Sequence, residues 1–286
     1  MASAVLTTAA AVLYLVSAAG YGAAFVRPAL TRIARVAFVL AAAGFTVQGV
    51  AIGLGCRETG GQHLLTVRGA AGLVGWMAAG VFVLVQRRFG KPAAGAFALP
   101  LVVAAVLPGV FAPEASGSAV AAALATVPAV KVHVTTAAAG IALFALASAS
   151  ALMYLLQHRE LKQKRFGALL PRLPSLGALD RMMGHLVAAG FAVFTVALLS
   201  GSVLARSAWC SDWARDGQQL ASLVTWLAFG AMVLARRAGS HGRRQAVLTL
   251  VAFAFVITSL VGVRQAGTTR HARFDAQPAI ACAGPI

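Results

Sequence analysis

Residues 130–156 read VKVHVTTAAAGIALFALASASALMYLL, and this stretch decides the fold. It holds one lysine near its start and no carboxylate; from Val134 onward it carries no charge. A helix rises about 1.5 Å per residue, so a run of this length crosses the ~30 Å hydrocarbon core of a bilayer. A transmembrane strand would run about 10 residues and alternate in polarity, and this segment is apolar on all sides. Seven further runs of the same kind cover roughly 3–26, 36–54, 69–85, 93–112, 183–205, 220–235 and 246–263. The expected fold class is therefore all-α: a polytopic transmembrane helical bundle of about eight spans. Composition agrees. Of the 286 residues 60% are hydrophobic and 11% charged, against roughly 25% charged in a soluble domain.

The net charge of +17 would suit nucleic acid if it covered a soluble surface, but it is sorted along the chain. Sixteen of the 24 basic residues follow spans 1, 3, 5 and 7: Arg27, Arg32, Arg35; Arg87, Arg88, Lys91; Arg159, Lys162, Lys164, Arg165, Arg172, Arg181; Arg236, Arg237, Arg243, Arg244. Two of the seven acidic residues go with them, and five go with the other eight basic residues. Short cytoplasmic loops carry the Lys and Arg excess. Both termini are thus expected outside the cytoplasm, and the basic charge reads as a topology signal, with no nucleic-acid partner. A removable signal peptide opens with a positive region. Here the first charge is Arg27, after the apolar run, so the first run is expected to stay as a span.

Cys56, Cys210 and Cys282 all fall on the outer side in this topology. Two could pair in an oxidising compartment, and sequence does not choose the pair. The absence of C-x-x-C excludes thioredoxin-like chemistry and covalent c-type haem attachment.

The expected organisation is a four-span half over 1–128, a second four-span half over 129–273 and an external tail over 274–286. The outer loop 113–128 reads as a small-residue connector. The segment 157–182 begins basic and ends Pro-rich, and is expected on the anionic inner leaflet. Mid-span carboxylates and arginine ladders, the usual marks of ion-coupled transport, are missing from these runs. Gln48, with Thr46 nearby, is the main polar side chain deep in a span and reads as a helix–helix hydrogen bond.

The outer face is richer. Residues 207–219 read SAWCSDWARDGQQ, placing Trp209, Trp213 and Asp216 in one loop. Scattered Trp residues form interfacial belts. Two indoles grouped with an acid offer instead a flat apolar shelf with a polar edge, suited to a planar porphyrin. Of the six histidines, His158 and His241 read as solvated, His185 as interfacial and His63 as a weak candidate. His133, at the outer start of span 5, and His271, after span 8, share the face of the Trp loop. Two imidazoles are the usual axial pair of a six-coordinate haem iron. Each alone would read as an interfacial histidine; together with the Trp loop they read as metal ligands.

The pattern resembles the cytochrome c assembly family of haem-handling membrane proteins, which includes CcsA, CcmC and HemX types. That family shows an external AWGxYWxWDPKE loop between two external histidines. Ala208, Trp209, Trp213 and Asp216 match it; Cys210, Asp212, Arg215 and Gly217-Gln218-Gln219 depart from it. His133-Val134, Tyr154-Leu155-Leu156, Leu173-Pro174-Ser175-Leu176, Leu179-Asp180, Gly190-Phe191, Thr195, Ser200-Gly201, Thr225-Trp226-Leu227 and Gly242-Arg243-Arg244 follow in family order over about 131–273. Two further family histidines, inside the membrane, align to Gln48 and Ala235 here.

The resemblance implies non-covalent haem b, held by His133 and His271 against Trp209 and Trp213, with Asp216 orienting the loop. It implies an apocytochrome c as recipient and a second membrane protein with a large external domain as partner. It also implies a bacterial inner membrane location and a haem-transfer component that is not an enzyme by itself. Alternatives are a HemX-type regulator of haem biosynthesis and a permease that handles no haem. Cys210 reads as a small residue in place of Gly or half of a disulfide, with haem ligation as the other possibility.

Overall fold

The computed structural model describes residues 2–112, 119–164, 172–209 and 216–265. Among the described residues the chain is helical and contains no strand. Nine α-helices are described: α1 (Ala2–Val26), α2 (Thr31–Glu58), α3 (Val67–Phe89), α4 (Pro92–Phe111), α5 (Ala119–Thr126), α6 (Pro128–Lys162), α7 (Leu176–Trp209), α8 (Gly217–Arg237) and α9 (Arg243–Gln265). All but α5 are long and apolar enough to cross a membrane, and the protein is a multi-pass membrane protein. Each expected span falls on one of these eight helices to within a residue.

Three expectations about boundaries change. The helices outrun the apolar spans: α6 continues through Lys162 and α7 starts at Leu176. Much of the segment 157–182 is therefore helix. Hydropathy marks where the apolar stretch stops, but the backbone ladder continues into the headgroup layer while Lys and Arg reach for water. The connector 113–128 contains α5, whose AVAAALAT sequence is built from strong helix formers. That helix stops before Val127, whose extended conformation (ψ 118°) suits a residue preceding proline. Pro128 then opens α6 at the one turn where a missing N–H costs nothing.

α1 packs on α2 and α4, α3 on α2 and α4, and α6 lies in the middle, touching α3, α4, α7 and α9. The most extensive seam is α6 with α7, and its register is legible in its small residues. A side chain at Gly201 would meet the His133 ring, one at Gly140 would meet Phe194, and one at Gly190 would meet Phe144. The contacts thus run 133 with 201, 140 with 194 and 144 with 190. Steps of seven and four along α6 match equal steps back along α7, as in an antiparallel pair with a heptad seam. Each large ring faces a missing Cβ. Phe144, fully buried, also stacks on Phe229 of α8 at 3.6 Å between centroids.

The α7–α8 seam follows the same rule. Gln219 donates to the Ser202 hydroxyl (2.6 Å), the Trp226 indole N–H donates to Thr195 Oγ1 (2.9 Å), and Phe191 fills the hollow at Gly230. Steps of seven and four recur. In the first half, Gln48 is fully buried and its Nε2 donates to the Gly72 carbonyl (2.8 Å), the inter-helix bond expected from its position in span 2.

The basic segments gather at one end of the bundle. Arg172 donates to the carbonyls of Phe25 and Val26 (2.7 and 2.8 Å), and Lys91 donates to that of Leu173 (3.1 Å). Arg236 forks onto both oxygens of Asp180 (3.2 and 2.8 Å), and Asp180 also accepts the Gly242 N–H (2.9 Å). Gly184 has no side chain where the guanidinium lies, and Gly242, at φ 74°, turns beneath the Tyr154 hydroxyl. Four elements thus meet on one ion pair. At the opposite end, Ser3 donates to Glu58 (2.8 Å) and Arg68 to the Ala112 carbonyl (2.6 Å).

The Asp180–Arg236 pair is largely enclosed (15% and 21% side-chain exposure) and bidentate. A double-mutant cycle of Asp180→Asn and Arg236→Gln in detergent is expected to give a coupling of about 1–3 kcal/mol. Additivity within about 0.5 kcal/mol would show an ordinary surface pair.

Candidate functional site

His133 lies in the second turn of α6, half-buried against α7. Its Nδ1 is 2.8 Å from the Ala197 carbonyl. A carbonyl oxygen only accepts, so the proton of this contact sits on Nδ1, and Nε2 is the lone-pair nitrogen of the neutral ring. Metal-bound histidines commonly fix their ring by such a bond from the other nitrogen. The neighbour that allows it is Gly201, one turn beyond Ala197: a Cβ there would stand 2.5 Å from Cε1 and 2.7 Å from Nδ1. Ser200 Oγ leans onto the same Ala197 carbonyl (3.1 Å). The Ser200-Gly201 pair, a bare motif in the sequence, is the seat of the histidine.

α7 continues outward from Gly201 to Trp209, its last residue, about 12 Å further along the axis. The side chain of Trp209 lies outside the described residues, as do Trp213, Cys210 and the 210–215 loop, and His271 beyond α9. The structure thus places His133 in full and the backbone of Trp209, and does not bring the other expected ligands onto the page.

Asp216 closes the loop. It is 4% exposed, and its Oδ1 accepts the N–H groups of Gln218 (3.0 Å) and Gln219 (3.3 Å), capping the first turn of α8. Such a cap satisfies amides with no partner inside the helix. Backbone amides are thus among its partners. Gln219, read only as a departure from the family edge, ties α8 to Ser202, the neighbour of Gly201. Sequence reasoning missed this link; the signal was a polar residue in the first turn of an apolar helix, opposite a serine about two turns before the end of its partner.

His63 sits in a 3-10 turn, Gln62–Leu65, after α2. Its ring fills the hollow left by Gly55, its carbonyl lies where a Cβ of Gly69 would stand, and its N–H donates to Thr59 Oγ1 (2.9 Å). Burial and the Arg68 guanidinium pull its pKa below the ordinary 6.5, while Glu58 pulls the other way. Cys56 is a free thiol, and among the described residues no three His, Cys, Asp or Glu side chains cluster as a metal site.

Two outcomes are expected here. Asp216→Ala should lower stability by about 1 kcal/mol in a thermal melt, and Asp216→Asn, which still caps, should recover most of it. Equal loss in both would assign the effect to charge. For His63, the imidazole signals in NMR should titrate below pH 6.5, lower still in Glu58→Gln and higher in Arg68→Gln. The depressed pKa means that the unfolded chain binds more protons, so this turn loses stability as pH falls from about 6.5 toward the folded value.

A family model described as Cytochrome C assembly protein matches residues 64–271. The cytochrome c biogenesis protein CcsA of Synechococcus elongatus is 36% identical over 94 residues, 32% of this chain and 29% of that protein. CcsA of Trichodesmium erythraeum is 35% identical over 101 residues, 35% of this chain and 29% of the relative. CcsA of Synechocystis sp. is 34% identical over 101 residues, 35% and 30% of the two chains. The matched stretch spans less than a third of each relative's length. The family match covers most of the chain, from the turn before α3 through His271, and includes the α6–α7 seam that seats His133: the chain belongs to the cytochrome c assembly protein family.

Proposed function

We propose that this protein binds haem non-covalently at the outer face of the membrane and presents it for cytochrome c biogenesis. The observation that carries the reading is the imidazole of His133, fixed by the Ala197 carbonyl in the hollow of Gly201. That arrangement fits a metal ligand: the ring is held in one tautomer, and its lone pair lies on Nε2. The role has precedent by name in the CcsA relatives, which are cytochrome c biogenesis proteins.

In this reading His133 and His271 are the two nitrogen ligands, and Trp209 and Trp213 supply the apolar shelf. Haem held there would supply the iron and the redox chemistry, with the imidazoles of His133 and His271 as its nitrogen ligands. The chain's own part is mechanical and electrostatic. The Ala197 carbonyl holds the Nδ1 proton and keeps the His133 ring from turning. Asp216 fixes the start of α8, and with it the end of the Trp loop, by capping rather than by touching a carboxylated ligand that its charge would repel. Gln219 clamps α8 to Ser202, one residue from the His133 seat.

The gathered basic end faces the cytoplasm in this reading, which puts His133, Trp209 and both termini outside. Localisation in a bacterial inner membrane, an apocytochrome c as recipient and a second membrane protein with an external domain complete the proposal.

The test is an absorption spectrum of the purified chain with added hemin, oxidised and then reduced. A Soret band with sharp reduced α and β bands is expected, lost in His133→Ala with His271→Ala. Gly201→Ala leaves both histidines in place but crowds the ring, and is expected to weaken haem binding roughly tenfold or more. Spectra unchanged in both variants would overturn the assignment. Absence of haem binding in the unaltered protein would favour a regulatory or structural role.

A further inference from the structure

The last turns of α6 and the first turns of α9 border a half-open cavity of about 390 Å³ at the basic end of the bundle. His158, Arg159, Lys162, Gln163 and Arg243 line it together with the aliphatic Leu155 and Val247. On α6 the positions 155, 158, 159 and 162 share one helical face, and on α9 so do 243 and 247. No ion pair or side-chain hydrogen bond neutralises Arg159, Lys162 or Arg243 among the described residues; the acid of that turn, Glu160, pairs with none of them. His158 is held at the edge by stacking near Tyr154 (6.1 Å between centroids).

Below the cationic rim the surface turns aliphatic. Leu152, one turn back from Leu155 on α6, is 41% exposed; Val251, one turn beyond Val247 on α9, is 60% exposed. Rim and strip together make an amphipathic slot running from the headgroup level toward the hydrocarbon.

We propose that this slot binds an anionic phospholipid, its phosphate among Arg159, Lys162 and Arg243 and its acyl chains along Leu152, Leu155, Val247 and Val251. Guanidinium groups fork onto phosphate oxygens, and basic residues at a membrane surface attract anionic lipid. A free phosphate would satisfy the rim but has no use for the aliphatic strip. A flat macrocycle with carboxylates would also suit the rim, but the lining offers it no indole or phenyl face. The site lies at the end of the bundle opposite His133 and stands independently of the haem reading.

The experiment is native mass spectrometry of the full chain in detergent, titrated with dioleoylphosphatidylglycerol or dioleoylphosphatidylcholine. Phosphatidylglycerol is expected to bind preferentially. Arg159→Gln with Arg243→Gln should weaken it roughly tenfold or more, whereas Arg87→Gln with Arg88→Gln, which removes equal charge from the same end, should change it less than about twofold. If the first pair fails to fold, Lys162→Gln alone, exposed in the last turn of α6, should still weaken binding several-fold. Equal loss in both pairs, or no preference between the lipids, would overturn the site. Displacement of the lipid by millimolar inorganic phosphate would assign the rim to a free anion, and displacement by hemin through the same arginines would assign it to a carboxylated macrocycle; either overturns the lipid.

Discussion

Everything at the His133 end of the bundle depends on how α6 and α7 fit together. Lipid tails are as apolar as leucine, so burial of aliphatic surface does little to join two helices inside a bilayer. What remains is van der Waals fit, and here it is made by rings facing glycines at 133/201, 140/194 and 144/190. The same stripe that locks the helices thus ends in the imidazole of His133. A slip of α6 by one turn would break the two phenylalanine contacts and lift the histidine from the Ala197 carbonyl together. Packing and ligand placement are one constraint, which is why a glycine matters to an imidazole.

The two ends of the bundle solve different problems. At the basic end, three separate connections are tied by side chains onto carbonyls or a carboxylate: Arg172 to the end of α1, Lys91 to the turn before α7, Arg236 to Asp180. These residues carry the topology signal and also hold the loops. An isolated charge there would prefer water; a guanidinium forked onto an enclosed carboxylate, with a backbone N–H completing the set, leaves few lone pairs unsatisfied. At the His133 end the described ties are hydrogen bonds: a cap at Asp216, an amide on Ser202, an imidazole on a carbonyl, with Glu58 and Arg68 each taking a neutral partner.

The eight spans were legible because each is a single-residue property repeated some twenty times. Gln48 was legible too: a lone amide in an apolar helix has few choices, and it found the Gly72 carbonyl. Helix ends were not, because α6 and α7 extend past their apolar stretches on residues that hydropathy counts as loop. Nor was the Asp180–Arg236 lock, since each partner reads alone as a loop charge and 56 positions separate them. Motifs read only by their order acquired causes in the structure. Gly201 seats His133, Thr195 receives Trp226, Gly190 admits Phe144, and Asp180 meets Gly242. Trp213 and His271 fall outside the described residues, so the second half of the site rests on sequence.

The two positions that align to the family's intramembrane histidines, Gln48 and Ala235, have other surroundings in this chain. At Gln48 the amide nitrogen is committed to a carbonyl on α3, so the residue serves helix pairing. At Ala235 a methyl stands beside Arg236, whose guanidinium is engaged by Asp180 within the same turn. A ligand in place of Gln48 would give up a bond that now holds α2 to α3. Haem handling in this chain, as proposed, is thus concentrated at the α6–α7 seam, where the hydrogen bond between His133 and the Ala197 carbonyl is itself part of the helix contact and would stay in place on ligation through Nε2.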